Sequence, residues 1–141
     1  MNVPITIKKL RPDAALPSYA HPGDVGLDVR ALEDYTLRPG ERHLFPLGFA
    51  LEFPAGYAVL VKDRGSMARA GLHTTGGVFD AGYRGEYNIQ LVNLGHKNYE
   101  VKTGHKIAQL IVFPVACAQL SESAELSDSS RGHGKFGSTG I

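Results

Sequence analysis

Long apolar runs, paired cysteines and an excess of charge of either sign are all missing from this 141-residue sequence. Each absence excludes a class of protein. No stretch reaches the roughly 20 apolar residues that a membrane span requires, since the longest candidate, 107–120, is interrupted by Gln109 and Pro114. No membrane partner is expected. The 15 Lys and Arg nearly cancel the 14 Asp and Glu, leaving a formal charge of +1. That balance removes the bulk attraction that drives nonspecific binding to nucleic acid, so no nucleic-acid partner is expected and any polyanion must be gripped locally. Cys117 is the single cysteine, and the opening MNVPITIKKL lacks the apolar stretch of a secretory signal. These features give the expectation of an intracellular, cytoplasmic protein, with Cys117 a small buried core residue of the run VACAQ.

Several catalytic signatures are absent as well. The six histidines, at 21, 43, 73, 96, 105 and 133, show no paired spacing, and there is no cysteine cluster, which argues against a protein-ligated zinc. Neither a Gly-x-Ser-x-Gly elbow nor a P-loop occurs.

What the sequence does have is glycine: 17 residues, about 12% of the chain against a typical share of roughly 7%. Glycine weakens helices and suits tight turns and backbone–ligand approach. The length fits one domain. Strand-like segments at 5–10, 27–32, 43–53, 57–62, 86–94, 99–102 and 107–120 lie between turn signals, the clearest alternation setting Tyr87, Ile89 and Leu91 against Asn88 and Gln90. No long amphipathic helix competes, so the pattern predicts an all-β antiparallel sandwich or barrel. The expected division is a β-barrel domain over 1–120 and a flexible C-terminal arm over 121–141. Five Ser and three acids in 121–130 give way there to four Gly and the aromatic Phe136 in 131–140.

Three glycine-punctuated clusters hold most of the unusual polar residues. Residues 62–68, KDRGSMA, fit an anion clamp of Arg64, Ser66 and backbone N–H groups around Gly65, or an ordinary turn with a surface arginine. Residues 76–86, GGVFDAGYRGE, fit a pocket in which Asp80 deprotonates water and Tyr83 offers a ring face to a sugar; taken by itself, the pattern more often marks a tight hairpin whose Asp caps its own backbone. Asp24 and Asp28, four residues apart, suit a water-bridged Mg2+, the orientation of an arginine, or solvated turns. In the tail, Phe136 beside Arg131 and Lys135 has the residue types that stack on a base and bind phosphate.

In order and spacing these segments resemble the five motifs of the trimeric dUTP pyrophosphatases. The matching segments are GLDVRA at 26–31, RGSMA at 64–68, GGVFDAGYRGEYNIQLVN at 76–93, GHKIAQLIVFP at 104–114 and RGHGKFGSTG at 131–140. The resemblance implies a jelly-roll-like β-barrel subunit, a homotrimer with shared active sites, and Mg2+-dependent hydrolysis of dUTP to dUMP and pyrophosphate. It implies further that Asp80 activates the water and that Tyr83 packs under deoxyribose and excludes a 2′-hydroxyl. Gly77, Val78 and Asn88 then contact uracil and sugar. Arg64, Gly65, Ser66 and Gln109 hold the phosphates, and Asp28 reaches the metal through water, the ion being held mainly by the triphosphate. In the arm, Arg131 pairs with the γ-phosphate, Phe136 stacks over uracil, Gly137 touches the nucleotide and Ser138 closes the lid. Asp63 stands where the family usually has Pro, Gly65 where it has Ser, and His105 where it has an acid. The related dCTP deaminases carry a catalytic Glu where this chain has Gln90, which cannot shuttle that proton.

Overall fold

The computed structural model describes residues 2–140. Its elements are β1 (Thr6–Lys9), β2 (Leu27–Arg30), β3 (Tyr35–Leu37), β4 (Arg42–Pro46), β5 (Phe49–Glu52) and β6 (Tyr57–Lys62), followed by one short helix, α1 (Gly65–Arg69). The chain continues through β7 (Leu72–Thr74), β8 (Val78–Asp80), β9 (Asn88–Asn93), β10 (Tyr99–Val101) and β11 (Lys106–Pro114). All pairings are antiparallel, in four sheets with strand orders β2-β11-β6-β8, β4-β9-β7, β1-β5 and β10-β3. The fold is all-β and jelly-roll-like. The sheets wrap one core without closing into a continuous hydrogen-bonded barrel. No helix among the described residues is long and apolar enough to cross a membrane.

Alternation sets the core. In β9 every second residue is buried, and Tyr87, Ile89 and Leu91 meet Phe45, Phe49, Leu72 and Leu110 inside, all at 1% exposure or less. Each such side chain contributes about 2 kcal/mol of burial. Asn93, also buried, is fully engaged: its amide donates to the Leu37 carbonyl at 3.0 Å and the Lys97 carbonyl at 2.8 Å, and its oxygen accepts from Gly95 N–H at 2.9 Å.

Three expectations change. The run 43–53 is two strands, because Gly48 adopts φ +71° and turns the chain from β4, paired with β9, to β5, paired with β1. The last run stops at Pro114, where its partner strand β6 begins with Tyr57; beyond it only Val115 N–H still reaches back, to the Gly56 carbonyl at 2.8 Å. Residues 113–140 are exposed throughout, so Cys117 is an exposed free cysteine and the expectation of a buried one is wrong. From residue 116 to 140 no described hydrogen bond reaches the rest of the chain. Ile141, the last residue of the expected arm, and Met1 lie outside the described residues.

Candidate active site

One groove of about 470 Å³ gathers Asp28, Arg64, Gly65, Ser66 and Gln109, with Asp24 and Gly26 also on its wall. The register explains the gathering, since Asp28 on β2 pairs with Gln109 on β11, which pairs with Lys62 at the end of β6, directly before Asp63 and Arg64. Asp28 is buried and carries two cations, with Arg64 Nε 2.9 Å from Oδ1 and Lys106 Nζ 2.6 Å from Oδ2. Burial works to raise its carboxyl, but Lys106 and Arg64 outweigh it and hold Asp28 below the usual carboxylate value. Arg64 NH1 also donates to the Lys106 carbonyl at 3.3 Å. Lys106, which joins the site through its ion pair with Asp28, is a residue that sequence reasoning missed, and its only signal was a cation opening the GHKIAQLIVFP strand.

Gln109 donates to the Asp63 carbonyl at 2.8 Å. Its side chain fills the space beside Gly26, so a Cβ added there would have to displace the Gln109 amide. The segment after Arg64 is the helical turn α1, which buries Met67 and leaves Gly65 and Ser66 exposed. Gly65 and Ser66 line the groove, while Met67 N–H and Ala68 N–H both donate to the Arg64 carbonyl at 3.0 Å.

The other candidates lie on the far edge strand. Val78 and Asp80 point out from β8, Val78 at 67% exposure, and the Asp80 carboxylate has no hydrogen-bond partner among the described residues. The alternative in which Asp80 caps its own hairpin is thus not what the chain does. The Tyr83 hydroxyl donates to the Glu86 carbonyl at 2.9 Å, and its ring packs against Phe79 and Tyr87. A Cβ on Gly85 would stand 2.5 Å from the Tyr83 oxygen, so the ring lies across bare backbone. Gly77, at φ +92°, passes so close to β6 that a Cβ would meet Val61 Cβ at 2.6 Å. Asn88 opens β9 and donates to the Glu86 carbonyl at 3.4 Å. Tyr87, beneath this hairpin, is buried with its hydroxyl unpartnered; burial, then Tyr83, pushes its phenol up to about 12.

These two groups do not meet within one chain. Asp28, Gln109 and Lys62 form one row across the β2-β11-β6-β8 sheet, whereas Asp80 pairs with Ala58, four residues along β6. Three strand spacings and four residues separate Asp28 from Asp80 by roughly 20 Å over the sheet. The arm residues join neither group: Arg131 Nε donates to the Gly134 carbonyl at 3.1 Å, Gly137 has φ +79°, Ser138 N–H bonds the Lys135 carbonyl at 3.0 Å, and Phe136 is fully exposed.

Comparison with known proteins follows the same segments. A dUTPase family model matches residues 12–140. The chain is 42% identical over 139 residues to the deoxyuridine 5'-triphosphate nucleotidohydrolase of Clostridium tetani, covering 96% of each chain. It is 46% identical to that of Thermobifida fusca, covering 99% of this chain and 80% of the relative. Among solved structures it is similar to the dUTPase of Staphylococcus bacteriophage 80alpha with dUPNHPP, at a TM-score of 0.91 and 27% identity over 98% of this chain and 99% of that one. The fold of the dUTPase from phage phi11 of S. aureus, whose structural Mg(II) ion has been visualised, is also similar, at a TM-score of 0.82 and 23% identity over 89% of this chain and 99% of that one. An all-β jelly-roll-like chain, matched over nearly its whole length, belongs to the dUTPase family.

Proposed function

We propose that this dUTP nucleotidohydrolase releases dUMP and pyrophosphate by attack of water on the α-phosphorus, at sites shared between the subunits of a homotrimer. The observation that carries the reading is the separation of the two residue groups. A triphosphate groove around Asp28 and Arg64 and a carboxylate hairpin around Asp80 lie roughly 20 Å apart on one chain, too far for one nucleotide to bridge with its α-phosphate against both. A neighbouring subunit that brings its hairpin to this groove completes the site.

In that site Asp80 takes the proton from the attacking water, a role that suits an exposed carboxylate with no competing hydrogen bond. Tyr83, fixed by its bond to the Glu86 carbonyl, packs under the deoxyribose and leaves no room for a 2′-hydroxyl. Gly77 and Val78 present main-chain groups to uracil, with Asn88 at the sugar. Arg64, Gly65, Ser66 and Gln109 hold the phosphates in line with the water, and such clamping supplies most of the acceleration in phosphoryl transfer.

The groove fits Mg2+ carried by the nucleotide. Among the described residues there is no cluster of three or more His, Cys, Asp or Glu to cage an ion. Asp28 has one oxygen on each of two cations, and a carboxylate retains lone pairs that can accept from a metal-bound water. Mg2+, when bound, supplies charge neutralisation at the phosphate oxygens. The arm over 121–141 closes the site, with Arg131 on the γ-phosphate, Phe136 over uracil, Gly137 against the nucleotide and Ser138 at the lid, excluding bulk water. The same reading places the enzyme in the cytoplasm, keeping uracil out of DNA and supplying dUMP for dTMP synthesis.

Product chromatography after incubation with dUTP, dCTP, UTP and dTTP in the presence of Mg2+ tests it. The expected result is dUMP from dUTP with UTP spared, and a failure to form dUMP overturns the reading.

A further inference from the structure

Asp63 stands between the two sheets and immediately before Arg64, and it is tied on both sides. Its carboxylate Oδ1 accepts from Thr74 N–H at 2.7 Å and from the Thr74 hydroxyl at 2.6 Å, and Oδ2 lies 2.6 Å from His73 Nδ1. Both partners belong to β7, in the β4-β9-β7 sheet. Its main-chain carbonyl accepts from Gln109 of β11, in the other sheet, at 2.8 Å. Burial works against the Asp63 charge, yet Thr74 and His73 outweigh burial and hold the carboxyl below its usual value.

We infer that Asp63 is a positioning residue of the triphosphate clamp, fixing the backbone from which Arg64 and α1 project. β6 ends one residue earlier, at Lys62, so its ladder no longer restrains the chain there. Arg64 must nevertheless present its guanidinium to Asp28 at 2.9 Å and keep the Gly65 and Ser66 main chain on the groove wall. The carboxylate and carbonyl of Asp63 restrain both ends of that residue, so rotation about its backbone would break bonds in one sheet or the other. The carbonyl also holds Gln109, itself a groove residue. One side chain thus sets the distance between Arg64 and Gln109 without touching the nucleotide.

The inference rests on the reading that the Arg64 groove holds the triphosphate, and it separates from a purely architectural role by ligand preference. A tie that only staples sheets together changes stability and leaves intrinsic affinities alone. A tie that aims the clamp weakens binding of ligands with β- and γ-phosphates and spares a monophosphate.

The test measures dissociation constants of dUpNHpp and dUMP, by calorimetry, for the full-length protein and for Asp63→Ala, Asp63→Asn, Thr74→Val and Arg64→Ala. Asp63→Ala is expected to weaken dUpNHpp by about tenfold, the scale of one charge-assisted hydrogen bond, with dUMP changed less than about twofold. Asp63→Asn keeps an acceptor for Thr74 and should recover most of that loss. Thr74→Val removes one of the bonds and should show a smaller loss in the same direction, which keeps the test decisive if Asp63→Ala does not fold. Unchanged dUpNHpp affinity in Thr74→Val and in folded Asp63→Ala, or equal weakening of both ligands, overturns the inference. Arg64→Ala is the control: if it leaves the preference for dUpNHpp unaltered, the clamp reading itself fails. A shifted preference in Arg64→Ala beside an unshifted one in the Asp63 and Thr74 variants overturns the Asp63 inference alone.

Discussion

At Asp28 a buried carboxylate faces two cations, and acid is the condition that exposes its contribution. Its folded value is depressed, as is that of Asp63, so each stabilises the native state above the ordinary carboxylate value of 3.8. That contribution is lost as pH falls through the lower folded values, where the native carboxylates themselves become protonated. Asp28→Asn should lower stability at pH 7 by about 2 kcal/mol, because it leaves Arg64 and Lys106 facing an uncharged amide. Thermal melts from pH 7 to pH 3 should show the variant and the parent converging as pH falls; a constant gap contradicts the assignment. Single residues were read from the sequence unevenly. Asp28, Arg64, Ser66 and Gln109 could be placed on one site from motif order, but that Lys106 and Asp63 also build it depends on strand register, which joins β2 to β11 and the end of β6 to β7. An apolar run suggests a buried Cys117, yet the residue is exposed because the strand that carries the run ends its pairing at Pro114.

Among the elements, strand β6 matches the pattern end for end, and β9 shows the alternation expected of it. Short elements escaped notice: β3, β7 and β8 have three residues each, too few for a period of two to stand out, and the five-residue α1 shows no helical repeat. The two glycines that flank this region make opposite demands. Gly77 combines φ +92° with a close approach to Val61, so Gly77→Ala should destabilise by about 2 kcal/mol or more and displace the β6–β8 pairing. Gly65, at a negative φ, has nothing within 4 Å of where a Cβ would stand. Gly65→Ser should therefore leave the melting temperature unchanged or raise it slightly, since serine loses less backbone freedom in a helical turn. Equal destabilisation of the two variants by thermal melts would contradict this account of the glycines.

At the scale of the molecule, most of the 22 buried apolar side chains among the described residues lie in one core, and none of them falls after Leu110. Deleting residues 131–141 should accordingly leave the melting temperature within about 2 °C while cutting dUTP turnover sharply, because the arm adds no core and is proposed to cover the nucleotide. An unchanged rate would remove the arm from the mechanism. The shared site is the larger claim: the motif resemblance implies it, and the topology supplies the physical reason for it. The sequence places both residue groups near strands, but only the order β2-β11-β6-β8 shows that they sit at distant points of one sheet.

Subunit complementation tests that claim most directly. Asp80→Asn and Arg64→Ala enzymes, each expected to lose turnover by at least about 100-fold, are denatured together in equal amounts, refolded and assayed for dUMP formation. If each site takes its groove from one subunit and its hairpin from another, random mixing leaves both intact at about one site in four, and activity returns to roughly a quarter of the parent value. Subunits that mix, as shown by mass, yet recover no activity above the single variants would contradict the account.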